Sequence, residues 1–106
     1  MEAFEIKDII AQQTNSSKAY LEFLRVPALS VGLYALPAGG TDPQSPHQED
    51  EVYYVVSGQG MVQVAGEDRA IEPGSVVFVG AKVAHHFHSI SEDLKLLVFF
   101  APAETG

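Results

Sequence analysis

Two residues four apart, His47 and Glu51, stand just before the apolar run 52–56, and a second histidine of interest, His85, lies in a later apolar segment. Neutral imidazole nitrogen and carboxylate oxygen are the donors that hold Fe, Mn, Ni, Zn or Co. Two histidines and one acid on one side of such an ion leave neighbouring positions open to water, oxygen or substrate. The three residues therefore predict a divalent transition metal in a small β-barrel. Side chains alternate along a strand, so Glu51, Tyr53 and Val55 share a face. Tyr53 then either presents its hydroxyl to the ligands or the substrate, or packs into the core as strand aromatics often do. Glu51 is either a ligand or, with the ion farther away, a general base.

The other histidines divide by the same alternation. Across residues 83–89, Val83, His85, Phe87 and Ser89 lie on one face and Ala84, His86 and His88 on the other. The more apolar face carries His85. A histidine there is by itself more often a hydrogen-bonded core residue than a ligand, and its partnership with His47 and Glu51 is what singles it out. His86 and His88 form a His-x-His pair that could take up metal adventitiously, but a polar outer or subunit-contact face suits them better.

The elements that must position these residues are mostly strands. Ile6, Ile9 and Ile10 have helical spacing over residues 5–13, and Thr14-Asn15-Ser16-Ser17 is a stop signal. Strand-length runs follow at 20–24, 30–36, 52–56, 61–65, 75–79, 83–89 and 94–100. Ser57-Gly58-Gln59-Gly60 reads as a hairpin, Gly66-Glu67-Asp68 as a turn, Pro73-Gly74 as another. Seven or eight short strands broken by Gly and Pro indicate an all-β sandwich or barrel. Residues 101–106 read as a short tail, ordered only where it touches the last strand.

At 106 residues there is room for one hydrophobic core, so residues 1–106 are expected to form a single domain. Its barrel core spans about residues 30–100, with residues 1–29 an N-terminal helix and strand. A hydrophobic content of 46% with 19% charged residues suits a water-soluble chain, and no apolar run approaches a membrane span. Without cysteine there are no disulfides or thiolate ligands, and the first residues lack a signal-peptide pattern, so the cytoplasm is the expected compartment. A net charge of -8 would repel a phosphate backbone and argues against nucleic acid. The acidic residues Glu49, Asp50, Glu67, Asp68, Glu92 and Asp93 read as solubilising loop groups, leaving Glu51 as the only carboxylate placed for chemistry.

In these spacings the chain resembles the cupin superfamily, whose first motif runs Gly, five residues, His-x-His, three or four residues, Glu, six residues, Gly. Here Gly39, Ser45-Pro46-His47, Glu51 and Gly58 occupy its anchors, with serine in place of the first histidine. The second motif has its length between Gly74 and Ser89. Gly74 and His85 match, while Gly80, Lys82 and Ser89 stand at its Pro, Gly and Asn positions. The resemblance covers about residues 30–100 and implies a small double-stranded β-helix, or jelly-roll, barrel. It also implies that His47, Glu51 and His85 are three of four usual metal ligands. Gln44, through its amide oxygen and flanked by constraining prolines, is the candidate for the fourth, with Ser45 at best behind the ligands.

What the resemblance implies for function is a metal-dependent enzyme on a small organic molecule, either dioxygenase-like or a Lewis-acid isomerase or lyase, with Glu51 and Tyr53 as its catalytic groups. The alternative is a non-catalytic barrel that senses a metal or small ligand. A sugar-binding domain of a transcription regulator is weaker, since no DNA-binding segment is present. Tyr34, Tyr53, Gln63, Phe78, Phe87 and Phe99 are candidates to line the interior, with core packing the plainer role for Phe78 and Phe99. The exposed edge of the 20–24 strand points to a homodimer.

Overall fold

In a computed structural model describing residues 1–105, one helix precedes six strands, all paired antiparallel. The helix α1, Ile6–Ser16, ends within the expected stop signal at Ser17, whose left-handed backbone (φ 60°) lets its N–H return to the Gln13 carbonyl. Its apolar stripe buries Ile9, and the Gln13 amide donates to the carbonyls of Ala19 and Leu33, both at 2.9 Å. These bonds tie α1 to the first strands, β1 (Tyr20–Val26) and β2 (Leu29–Leu36). No helix among the described residues is long and apolar enough to cross a membrane.

The strand count differs from the sequence expectation for a physical reason. Residues 52–56 and 61–65 are not two arms of a hairpin but parts of one strand, β3 (Asp50–Val64). The segments 83–89 and 94–100 likewise belong to one strand, β6 (His85–Ala101), which pairs with β3 along its length. Gly58 sits at φ +95°, where a β-carbon would collide with the Asp93 backbone. The glycine therefore serves a bulge and a close crossing of two backbones, not a turn. The ladder shifts register between Val55 and Met61 around it. The turn expected at residues 66–68 falls at Ala65-Gly66, and Glu67–Ile71 forms a further strand, β4, beside β3. A short strand, β5 (Val76–Val79), pairs with the first half of β3.

The bulged middle folds the β3–β6 ribbon onto itself. Register places Glu51 opposite Phe100 and Val64 opposite His85, so a straight ribbon would separate Glu51 from His85 by roughly 40 Å. Instead their side chains lie 2.9 Å apart. The result is the expected all-β jelly-roll barrel with a short N-terminal helix, its sheet ordered β1-β2-β6-β3-β4, with β5 on the same edge of β3 as β4 but beside its first half. Inward residues of both long strands make the core: Val55 and Val62 from β3, and Phe87, Leu94, Leu96 and Val98 from β6. Each such side chain contributes on the order of 2 kcal/mol by leaving water.

Three expectations for the interior are corrected. Phe78 is 64% exposed on β5 rather than packed in the core. Phe99 faces outward toward α1, alongside Phe4, Ile9 and Leu97, and Gln63 faces Asp68 on the outer surface. Even-numbered positions point away from the core on β5 and on the first half of β3; the ladder shift inverts the parity on the second half, so that Val62 faces in and Gln63 out.

Candidate metal centre

Two chain segments and two strands bring the candidate residues together. His47 ends an irregular stretch after β2, and its carbonyl accepts the Lys82 N–H while Asp50 accepts the Ala81 N–H. These bonds join the approach to β3 with the approach to β6. Glu51 is the first inward residue of β3 and His85 the first of β6, both buried at 5% exposure or less. A ligand atom from each of His47, Glu51 and His85 lies within 4.8 Å of the other two.

The orientation of each side chain is set from behind. His85 directs Nδ1 at the Val83 carbonyl at 2.8 Å, which assigns that nitrogen the proton and leaves the Nε2 lone pair facing the interior. His47 directs Nδ1 at the Glu104 carboxylate at 3.2 Å and Nε2 inward, with its ring edge-to-face on Phe100. Metal-bound imidazoles are held in this way, with an acceptor on the outer nitrogen. Glu51 completes the set. His85 Nε2 is 2.9 Å from Glu51 Oε1, and while His85 is neutral with its proton on Nδ1, neither carboxylate oxygen receives a hydrogen bond from the described residues. An unpartnered buried carboxylate costs several kcal/mol, and a cation at the common focus of these three donors would remove that cost. The donor set fits a divalent transition metal.

Gln44 is also at this focus. Its amide nitrogen donates to Asp42 Oδ2 at 2.5 Å, which turns its oxygen inward. That oxygen lies 3.2 Å from His47 Nε2, 3.1 Å from His85 Nε2 and 3.0 Å from the donating Tyr53 hydroxyl. Ser45, next in the chain, is exposed. The irregular backbone after Pro43 thus turns Gln44 in and its neighbour out. Tyr53 is 1% exposed, so it both packs against Phe87 and presents its hydroxyl to Gln44 and His85.

Electrostatics follow from burial. Loss of water works against the charged form of His85, but the Glu51 carboxylate and the Val83 carbonyl outweigh it and raise its pKa above the ordinary 6.5. Burial, with the negative charge of Glu51, pushes the Tyr53 hydroxyl far above the usual phenol range, so it keeps its proton. Burial also raises the Glu104 carboxyl, with His47 acting in the opposite direction.

A cavity of ≈ 270 Å³ opens beside the cluster, walled by Tyr20, Tyr34, Val98 and Phe100, with His47 and Glu104 among its polar groups. Tyr34 donates to Asp42 at 2.6 Å, and Asp42 also accepts the Phe87 N–H, so one carboxylate joins the wall, Gln44 and β6. The expectation that Glu51 alone is placed for chemistry is therefore corrected: Asp42 and Glu104 enter the same site. Glu49, read as a surface acid, is 4% exposed and accepts the Thr105 hydroxyl at 2.7 Å. Asp42 had a weak signal, an acid two residues from Gln44 beside a proline. Glu104 had none, because the tail reaches the site only through the fold.

His86 and His88 lie outside. His88 Nε2 is 2.7 Å from Asp68 on β4, and the two imidazole rings are 5.3 Å apart.

A family model described as "Cupin domain" matches residues 32–100. An uncharacterized protein of Streptomyces coelicolor is 52% identical over 105 residues, 99% of this chain and all of its own length. Among solved structures, the TT1209 protein of Thermus thermophilus superposes with a TM-score of 0.79 at 29% identity, covering 97% of this chain and 99% of its own. KdgF from a Halomonas species superposes with a TM-score of 0.72 at 23% identity, covering 78% and 76%, a likeness of fold alone.

Proposed function

This chain belongs to the cupin family, and on that footing we propose that it is a metal-dependent enzyme acting on a small organic molecule. His47, Glu51 and His85 hold the ion, with Gln44 as fourth ligand through its amide oxygen. The observation that carries this reading is the buried Glu51 carboxylate, left without a hydrogen-bond donor by neutral His85, whose Nε2 lone pair the Val83 carbonyl turns toward it, with a His47 ring nitrogen at the same focus. When bound, a divalent ion in such a site supplies Lewis acidity or one-electron chemistry with oxygen. The chain's own residues do the rest. Tyr53 holds a proton at its hydroxyl beside the ligands, and the tyrosine and phenylalanine walls give the cavity a mostly apolar lining.

The cavity lies just below the usual range of ligand pockets, about 300–1,000 Å³, which suits a small substrate. Arg25 is engaged with Glu22 and the Glu104 carbonyl, so no guanidinium is free there to meet a substrate anion. A neutral molecule, or an acid that binds through the ion, fits best. The net charge of -8 disfavours nucleic acid as a partner. The edge position of β1 leaves one side of that strand for a second copy, and a dimer mass by solution scattering is the expected result. A monomer mass would remove that part.

Metal analysis of protein purified without added metal tests the centre. Wild type should carry about one ion per chain and His47→Ala none; equal metal in both would sink the site. Oxygen consumption or turnover of a panel of small substrates then separates the enzyme from a non-catalytic barrel, which would bind ligand without converting it.

A further inference from the structure

The tail after β6 was expected to be ordered only beside that strand, yet residues 103–105 return across the barrel. Ala103 is buried, and its N–H donates to the Pro27 carbonyl at 3.3 Å. The Glu104 N–H donates to the hydroxyl of fully buried Ser30 at 3.0 Å, and its carbonyl accepts the Arg25 guanidinium at 2.6 Å. The Thr105 hydroxyl then reaches Glu49, two residues from His47. Three consecutive residues are thus pinned to the β1–β2 hairpin and to the approach to β3. Their pinning aims the Glu104 side chain at His47 Nδ1, 3.2 Å away.

An imidazole ligates through one nitrogen only if the proton is on the other. His85 has the Val83 carbonyl to hold that proton. His47 has a competing acceptor on its inner side, the Gln44 oxygen 3.2 Å from Nε2, which would stabilise the wrong tautomer. Glu104 is the group that opposes it.

We propose that Glu104, carried by this strap, is a positioning residue that holds the His47 proton on Nδ1 and leaves Nε2 free to bind a metal. The proposal rests on the reading of His47 as a ligand. It adds that a residue from beyond the last strand sets the affinity of the site.

The test begins on metal-free protein, where side-chain ¹⁵N NMR at a pH that keeps imidazole neutral reports which nitrogen of His47 carries the proton. Wild type should show Nδ1–H. Glu104→Ala should shift His47 toward Nε2–H, and Glu104→Gln, whose amide oxygen still accepts, should retain Nδ1–H. In Co(II) titrations Glu104→Ala should bind about 10- to 100-fold more weakly than wild type, with Glu104→Gln recovering much of the loss. Glu104→Gln keeps the strap's backbone bonds, so it also guards against a folding defect. A wild-type tautomer persisting in Glu104→Ala would overturn the proposal, as would Co(II) affinity unchanged despite a shifted tautomer. If His47→Ala binds Co(II) as wild type does, the failure belongs to the metal reading, and the tautomer alone judges Glu104.

Discussion

His85 and its neighbours His86 and His88 share one strand and one residue type, yet their surroundings have little in common. His85 has a carboxylate, an amide oxygen and a phenol oxygen within 3.1 Å of one nitrogen, all in a site its side chain shares with buried Glu51. His88 meets a single exposed acid, Asp68, and His86 joins no group that converges on one point, since His47, Glu51 and His85 form the only such cluster found among the described residues. Metal-ligand residue types are present on both sides of the sheet. Only on the inner side do distant elements aim them at a common focus, in a place where water cannot satisfy them instead.

The largest test of this contrast is His85→Ala. It should abolish stoichiometric metal, and with it the stabilisation that bound metal confers, about 2.7 kcal/mol at one hundred times Kd; thermal melts with and without added metal measure it. Metal lost on mutating His86 and His88 but kept in His85→Ala would reverse the assignment. Next in size, Glu51→Leu should lose metal yet, at a pH above the His85 titration, make the metal-free protein about 1 kcal/mol more stable in urea, because a carboxylate left without a donor by neutral His85 gives way to an apolar group. A destabilised metal-free variant would mean that Glu51 is already satisfied.

The pH response should differ in sign between the two forms. The raised pKa of His85 means that its proton stabilises the metal-free fold fully below the unfolded value, near 6.5, and that this contribution fades as pH rises through the higher folded value. Metal must displace the same proton, so metal affinity should rise over that interval while metal-free stability falls. Parallel slopes in melts of the two forms would contradict this. Gln44→Ala, which removes the neutral fourth ligand, should then weaken metal binding by at least about tenfold, the lower end of what even a group behind the ligands contributes, with Ser45→Ala silent in the same titration. The smallest effect belongs to the outer face. His88→Ala should leave metal content unchanged and only return the Asp68 carboxyl, held low chiefly by its hydrogen bond to His88, toward its ordinary value, as NMR titration of Asp68 would show.

Much of this site was legible in the order of residues. The spacing of His47 and Glu51, and the face shared by His85 and Phe87, depend on local alternation. Gln44 could be proposed because the position after it lacked a histidine. The strands were less legible where glycine had two meanings. Gly58 looks like a hairpin glycine, and only the Asp93 backbone against it reveals a bulge. Phe78 looked like core for a similar reason, since hydrophobicity alone does not say which face of a short strand is covered.

By itself, then, the sequence determined the donor types, the period-two pattern that turns Glu51, Tyr53 and His85 to one side, and the all-β class. The tertiary structure decided that the two ends of the β3–β6 ribbon meet, that Asp42 turns the Gln44 oxygen inward, and that Glu104 arrives behind His47. The physical reason is range. Alternation is set by each residue's own backbone, whereas these contacts join positions tens of residues apart and exist only once the bulged ribbon has folded over.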